Sequence, residues 1–314
     1  MKWDARRFVA LLTISGAVDA ASSTAIAGGF AIEQQNAAAL GAAFAGAQAR
    51  GADPGFAAYN PAAIGGVDCL DISVSATGVA ATSKYRDAQG LLLGSVPISG
   101  EDSGGGYMRP AAIPNISLAR PLGERLAVGL VLTSHFGLKS DFSADSVLRY
   151  QAQSSELLSL AASPTISFKA ADGLTLGASL RLQYADLSIG AIIDAAGVAA
   201  ASLITGFVPG TSDLPAEFGG DDLSLGFAAG FIAEVSPRLT VGGSYSSKIT
   251  HDIEGDARFD IAQSAAARVL NQAAGLFAPT GFSTEFTTPA IAGVGLSYRA
   301  CDCLTLLASA TWTG

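Results

Sequence analysis

Two histidines and three cysteines are the side chains best able to do chemistry in this 314-residue chain, and their arrangement points away from catalysis. A serine or cysteine nucleophile needs a base within hydrogen-bond reach, an acid to orient that base, and donors for the oxyanion. His135 and His251 lie far apart in sequence, and no Gly-x-Ser-x-Gly elbow follows a strand pattern. No enzyme activity is expected. Cys301-Asp302-Cys303 falls at a predicted tight turn, and Cys69 is distant. These sulfurs could ligate a metal, pair in a disulfide with Cys69, or simply be small residues at strand ends, and no histidine lies nearby to complete a metal site. Neither a metal nor a cofactor is expected.

The elements that position these residues follow from composition. Hydrophobic residues make up 49% and charged residues 14%, against about a quarter charged in ordinary globular chains. Mean hydropathy is +0.39. Beyond the N-terminus every apolar run is broken by Gly, Ser, Thr or a charge before it reaches the roughly 20 residues that a membrane helix needs. A closed β-barrel is the other way to satisfy backbone polar groups in lipid. The net charge of −9 excludes nucleic acid as a partner, because no basic stripe exists to neutralise phosphates.

Residues 1–27 read as a secretory signal peptide. Lys2, Arg6 and Arg7 precede an apolar stretch from Phe8 to Val18, and Ala25-Ile26-Ala27 is a small-x-small cleavage site. Residues 28–68 do not alternate and carry turn signals at Asp53-Pro54-Gly55 and Asn60-Pro61. From Asp71 the period becomes two. Leu174, Leu176, Ala178, Leu180, Leu182 and Tyr184 share one face, opposite Thr175, Gly177, Ser179, Arg181 and Gln183. The pattern predicts nine strands, at about 71–85, 110–120, 125–137, 153–170, 174–193, 222–235, 238–253, 284–299 and 303–313. Short turns alternate with long loops at 86–109, 138–152, 194–221 and 254–283, as in outer-membrane barrels. Two of the long loops are apolar: 195–208, with Leu203, Ile204, Phe207 and Val208, and 261–277, which has helical spacing with Val269, Leu276 and Phe277. Apolar loops in water need each other or an apolar guest.

Gly29-Phe30, then Leu40 through Gly46, then Tyr59-Asn60-Pro61-Ala62, with Ile113-Pro114-Asn115 and Ser134-His135-Phe136-Gly137-Leu138 further on, resemble the FadL family of outer-membrane transporters for long-chain fatty acids and aromatic hydrocarbons. The resemblance implies an all-β fold: a transmembrane antiparallel β-barrel of about fourteen strands with a small helical N-terminal hatch. Here the signal peptide would be 1–27, the hatch 28–68 and the barrel 69–314. With about nine strands, the barrel is expected to be incomplete at the C-terminal side, since single-chain bacterial barrels close with even numbers.

The resemblance also implies capture of an apolar molecule between the outer loops, at Leu203, Ile204, Phe207, Val269, Leu276 and Phe277, and a pocket beside Phe30. Asn60, Pro61 and Ala62 would form the hatch motif. Substrate would leave sideways at a kink formed by His135, Phe136 and Gly137, where a glycine tolerates the bulge. Fatty-acid members of the family place a basic group near the end of the fifth strand, but 188–194 carries none; Arg181 is read instead as an ion-pair partner of a hatch carboxylate. The expected protein is a monomer of the bacterial outer membrane, in contact with lipid and lipopolysaccharide, that takes up a hydrophobic small molecule. The alternative is a structural or adhesive barrel, which calls for polar outer loops and no hatch.

Overall fold

Period-two alternation from Asp71 onward folds into one antiparallel sheet, seen in a computed structural model that describes residues 32–135, 137–151 and 153–314. The expected signal peptide, Phe30 and Phe136 lie outside the described residues.

The sheet begins with β1 (Asp71–Val79). Two small hairpins follow, β2 (Lys84–Tyr85) with β5 (Gly104–Gly105), and β3 (Leu91–Leu92) with β4 (Val96–Pro97). Then come β6 (Ala111–Pro121), β7 (Leu126–Thr133), β8 (Gly137–Asp141), β9 (Ser154–Ala171), β10 (Leu174–Asp194) and β11 (Asp213–Ser236). The last five are β12 (Leu239–Ser246), β13 (Ile249–Phe259), β14 (Thr280–Thr288), β15 (Ile291–Cys301) and β16 (Leu304–Thr313). The spatial order is β1-β6-β7-β9-β10-β11-β12-β15-β16, with β8 beside β9, and β13 between β11 and β14. Among the described residues no ladder joins β1 to β16, so the sheet is open.

Each of the nine predicted strands has a place on this path, but several bounds differ. The first ends at Val79, short of residue 85, and the predicted 222–235 begins at Asp213. Predicted strands 238–253 and 284–299 are each two strands, split at Ser247 and at Pro289. At the first split the Ser247 hydroxyl accepts from Phe227 N at 3.0 Å. A side chain thus replaces a ladder bond there, and the hydrophobic period does not record the change.

The faces are inverted relative to a water-soluble sheet. Ile72, Val74, Leu176, Leu180, Leu223, Leu225, Phe227 and Trp312 are exposed, while Asn115, Ser117, Thr165, Ser167, Arg181 and Gln183 are buried. Such a wall is stable where lipid meets the apolar face. With 24 residues, β11 exceeds the roughly 9–11 needed to cross. Its first half pairs with β13 and its second half with β12.

The N-terminal segment covers the polar face. It holds α1 (Ala37–Gly41) and three single turns at Ala47–Ala49, Pro54–Phe56 and Pro61–Ile64. Asn36 caps α1 by accepting from Ala38 N and Ala39 N, and Asp53 caps the second turn by accepting from Gly55 N. Ile64 packs with Ala119, Ala127 and Val131 of the wall, and Phe56 and Ala62 pack with Ile232. Glycines make this approach close enough. A Cβ at Gly177 would lie 2.2 Å from Ala62 N, and one at Gly242 would lie 1.9 Å from Gln48 O.

Candidate functional site

The wall is interrupted between Thr133 and Gly137. The β7–β9 ladder ends at Thr133↔Ala161 and the β8–β9 ladder resumes at Gly137↔Leu158. Three residues on one strand therefore face two on the other, which is the geometry of a bulge. The neighbouring ladder is short as well. β6 pairs with β7 only from Ile116↔Leu132 to Pro121↔Ala127, so Ala111–Asn115 has no β7 partner.

The start of the described chain docks on this break. Ile32 N donates to His135 O at 2.7 Å, and Gln35 Nε2 donates to Ser134 O at 2.5 Å. Thr133 Oγ1 lies 3.0 Å from His135 Nδ1. Gly137 keeps an ordinary backbone, outside the left-handed region. The glycine expected to tolerate the bulge is thus present, but it is not called on for a positive φ. The bulge comes from the extra residue, and what Gly137 supplies is space, since its Cβ would sit 3.2 Å from Ile32 Cδ1.

A cavity of about 370 Å³ opens beside the break. Ile32, Phe44, Tyr59 and His135 line one side, and Ile291, Ser309 and Thr311 of the wall line the other. Tyr59 OH donates to Glu33 O at 2.8 Å and accepts from Gln35 N at 3.2 Å, which fixes the ring at the edge of the cavity.

Asn60 is fully buried at the centre of the docked segment. Its Oδ1 accepts from Ala62 N at 3.0 Å, closing the turn that Pro61 starts. Its Nδ2 donates to Gln48 O at 2.6 Å and to Phe231 O at 2.9 Å. One side chain thus joins two turns of the segment to β11. Gln35 and Gln48 carried no sequence signal, and Tyr59 stood only as part of the Tyr59-Asn60-Pro61-Ala62 motif. The in-strand glycines did, because glycine inside a strand marks a close backbone approach.

The two apolar loops form helices that pack on one another above the sheet. α2 (Ala195–Ala201) is capped by Asp194, and α3 (Ala265–Ala274) by Ser264. Ala195, Ala196, Ala199, Leu214, Ala266, Ala267 and Leu270 form their common core. Of the expected capture residues, Ile204, Phe207 and Phe277 pack at the margin of this core. Leu203 is 89% exposed, and Val269 and Leu276 are also exposed. The structure thus splits the set into an anchored group and an exposed group.

Below the loops, His251 is fully buried. Its Nδ1 lies 2.9 Å from Asp222 Oδ2 and its Nε2 lies 3.2 Å from Gln183 Oε1, while Thr288 Oγ1 donates to the same amide oxygen at 3.2 Å. The cluster ties the root of the β13–β14 hairpin to β10 and β11. Arg181 is buried, yet it makes none of the ion pairs found among the described residues. The expected bond to a hatch carboxylate is therefore absent there. The wall beside Arg181 is lined by Thr133, Ser163 and Ser179, which offer dipoles rather than a carboxylate.

A third tether joins two of the long loops to the start of β11. Arg149 Nε pairs with Asp213 Oδ2 at 2.9 Å and its Nη1 donates to Ser99 O at 2.7 Å, while Tyr150 OH donates to Asp213 Oδ1. Burial first, and then the Asp213 carboxylate, push the Tyr150 phenol up to about 12. The phenol is harder to ionise folded than unfolded, so the tether is complete below about 10 and is lost as pH rises through about 12. A spectrophotometric phenol titration is expected to hold both Tyr150 and Tyr59, which burial also raises to about 12, back to that range, and Tyr150→Phe is expected to reduce the late step by one phenol. A late step of undiminished amplitude in Tyr150→Phe contradicts the assignment.

Known proteins place this architecture. A putative outer membrane protein of Neisseria meningitidis serogroup B is 27% identical over 283 residues, covering 85% of this chain and 60% of that protein. A long-chain fatty acid transport protein of Escherichia coli O6:H1 is 24% identical over 257 residues, covering 78% and 56%. The chain thus spans 60% or less of the length of these two relatives. The crystal structure of a Pseudomonas aeruginosa FadL homologue superposes with a TM-score of 0.77 at 24% identity, covering 91% of this chain and 69% of that one. The Pseudomonas putida toluene transporter TodX superposes at 0.54 with 18% identity, covering 82% and 65%. The family described as outer membrane protein transport protein (OMPP1/FadL/TodX) matches residues 18–314, and the chain belongs to it.

Proposed function

We propose that the full-length protein is an outer-membrane channel for uptake of hydrophobic small molecules, either long-chain fatty acids or neutral aromatic and alkane hydrocarbons. The observation that carries this reading is the bulge at 134–136 beside a cavity of about 370 Å³. A wall break next to a partly apolar cavity offers a lateral route. An apolar solute that takes it enters the bilayer without crossing the polar lipopolysaccharide leaflet or periplasmic water. In this reading residues 1–27 are removed on export, 28–68 form the hatch and 69–314 belong to the barrel. The short turns face the periplasm, and the protein works as a monomer among lipid and lipopolysaccharide. The helices α2 and α3 capture the molecule at Ile204, Phe207 and Phe277, with the exposed Leu203, Val269 and Leu276 closing over it.

The loops give a direct test. Leu203 touches little in the free protein, so Leu203→Asp is expected to leave the fold unchanged. In the bound state it places a charge against an apolar guest, which costs at least a few kcal/mol if the site is dry. Leu270 is 1% exposed. Leu270→Asp is therefore expected to unfold the helix pair itself. The measurement is titration of purified full-length protein with a fluorescent fatty acid and with naphthalene. Loss of affinity in Leu203→Asp and Phe207→Asp with an unchanged circular dichroism spectrum supports capture by the loops. Equal affinity in both variants and the parent rules it out.

A further inference from the structure

The turn between β15 and β16 brings two sulfurs together outside every site described above. The hairpin is paired from Ile291↔Thr313 to Arg299↔Thr305, then shifts register and closes at Cys301↔Leu304. Asp302 and Cys303 make the turn. This fold-back leaves Cys301 Sγ and Cys303 Sγ 2.7 Å apart. Non-bonded heavy atoms rest at roughly 3.5–4.0 Å, so the pair is already inside ordinary contact. Both are exposed free thiols.

We propose that Cys301 and Cys303 are a modification site and form a disulfide within the turn once the chain is exported. The placement of this turn in an oxidising compartment rests on the outer-membrane reading. The juxtaposition of the sulfurs does not. A bound metal fits the spacing less well, because two thiolates on a zinc ion at about 2.3 Å each stand more than about 3.5 Å apart in tetrahedral geometry. Cys69 is not a competing partner: it precedes β1 at one edge of the sheet, and Cys303 precedes β16 at the other.

The chemistry balances by exchange with an exported dithiol–disulfide oxidase in its disulfide form. A hydrogen bond from the Cys303 side chain, with help from the backbone, lowers the Cys301 thiol below its ordinary range and favours the attacking thiolate. Cys301 Sγ bonds to one sulfur of the oxidase disulfide, and the other oxidase sulfur leaves as thiolate. Cys303, deprotonated, then attacks Cys301 Sγ and expels the first oxidase sulfur. Two thiols are oxidised with loss of two electrons and two protons. The oxidase disulfide takes up both and becomes a dithiol.

The test is differential thiol labelling of the full-length protein in cells that export it. Cells are acid-quenched and treated with one maleimide, then the protein is reduced and treated with a second maleimide of different mass. Peptide mapping is expected to find the second label on Cys301 and Cys303 and the first on Cys69. The unreduced turn peptide is expected to be lighter by two hydrogens, and in Cys303→Ser the remaining Cys301 takes the first label. Cys301 linked to Cys69 or to another chain overturns the proposal. So does failure of the turn to close when purified protein is treated with oxidised glutathione. Closure on the purified protein with both thiols free in cells keeps the turn assignment and overturns the oxidising location instead.

Discussion

Deleting His135 from the full-length protein is expected to abolish uptake of hydrophobic solutes while leaving ligand affinity at the outer loops unchanged. The pairing steps from Thr133↔Ala161 to Gly137↔Leu158, so the chain has one residue more on this strand than on β9 between the two ladders. Removing one residue equalises the count, and the two ladder segments then run in one register. An unbroken register then favours the straight, sealed wall. The helices that form the outer core lie beyond this ladder, so binding there persists. The deletion is a cleaner probe than a substitution at Gly137, whose backbone any residue can adopt and whose nearest contact is the flexible Ile32 side chain. Paired measurements decide the matter. Lost uptake with retained affinity supports lateral exit at this break; normal uptake at equal surface levels places the exit elsewhere.

Asn60→Ala is expected to release the docked N-terminal segment from the wall without unfolding the sheet. The substitution removes the donors to Gln48 O and Phe231 O and the acceptor for Ala62 N. Each buried polar group left unsatisfied costs about 1–3 kcal/mol. That is enough to undock a segment held mainly by single turns and small side chains. Asn60→Asp is expected to be at least as damaging, since a carboxylate then faces two carbonyl oxygens. Hydrogen exchange is the readout: protection of residues 47–64 is expected to collapse while that of β9 to β11 holds. Unchanged protection of 47–64 in Asn60→Ala contradicts a central role for this side chain.

The wall was legible in the sequence because a barrel strand in lipid has one physical demand per face. Leu174 to Tyr184 alternate strictly, since every second side chain meets lipid and the others meet a polar interior. The breaks in the strands were less legible. At Ser247 the alternation continues while a hydroxyl takes over a backbone bond. The loop 195–208 read only as apolar because its helix is alanine and glycine apart from Val198, a sequence with almost no periodic contrast. Asn60 was visible as an Asn-Pro turn, but its reach to Phe231 O, 171 residues away, is a product of the fold. The docking of Ile32 and Gln35 on the kink is likewise long-range and left no local trace. Arg181 was misread because a lone cation on a polar strand face suggests a carboxylate partner, and only the packed structure reveals which groups stand opposite it.

Uptake by cells tests the central claim most directly. Cells expressing the full-length protein at verified surface levels, and cells carrying an empty vector, are given a fluorescent long-chain fatty acid or a neutral aromatic hydrocarbon. Saturable accumulation of at least one of the two that depends on the protein, and that is lost in the His135 deletion, is the predicted result. Equal accumulation of both compounds in expressing and control cells contradicts the account.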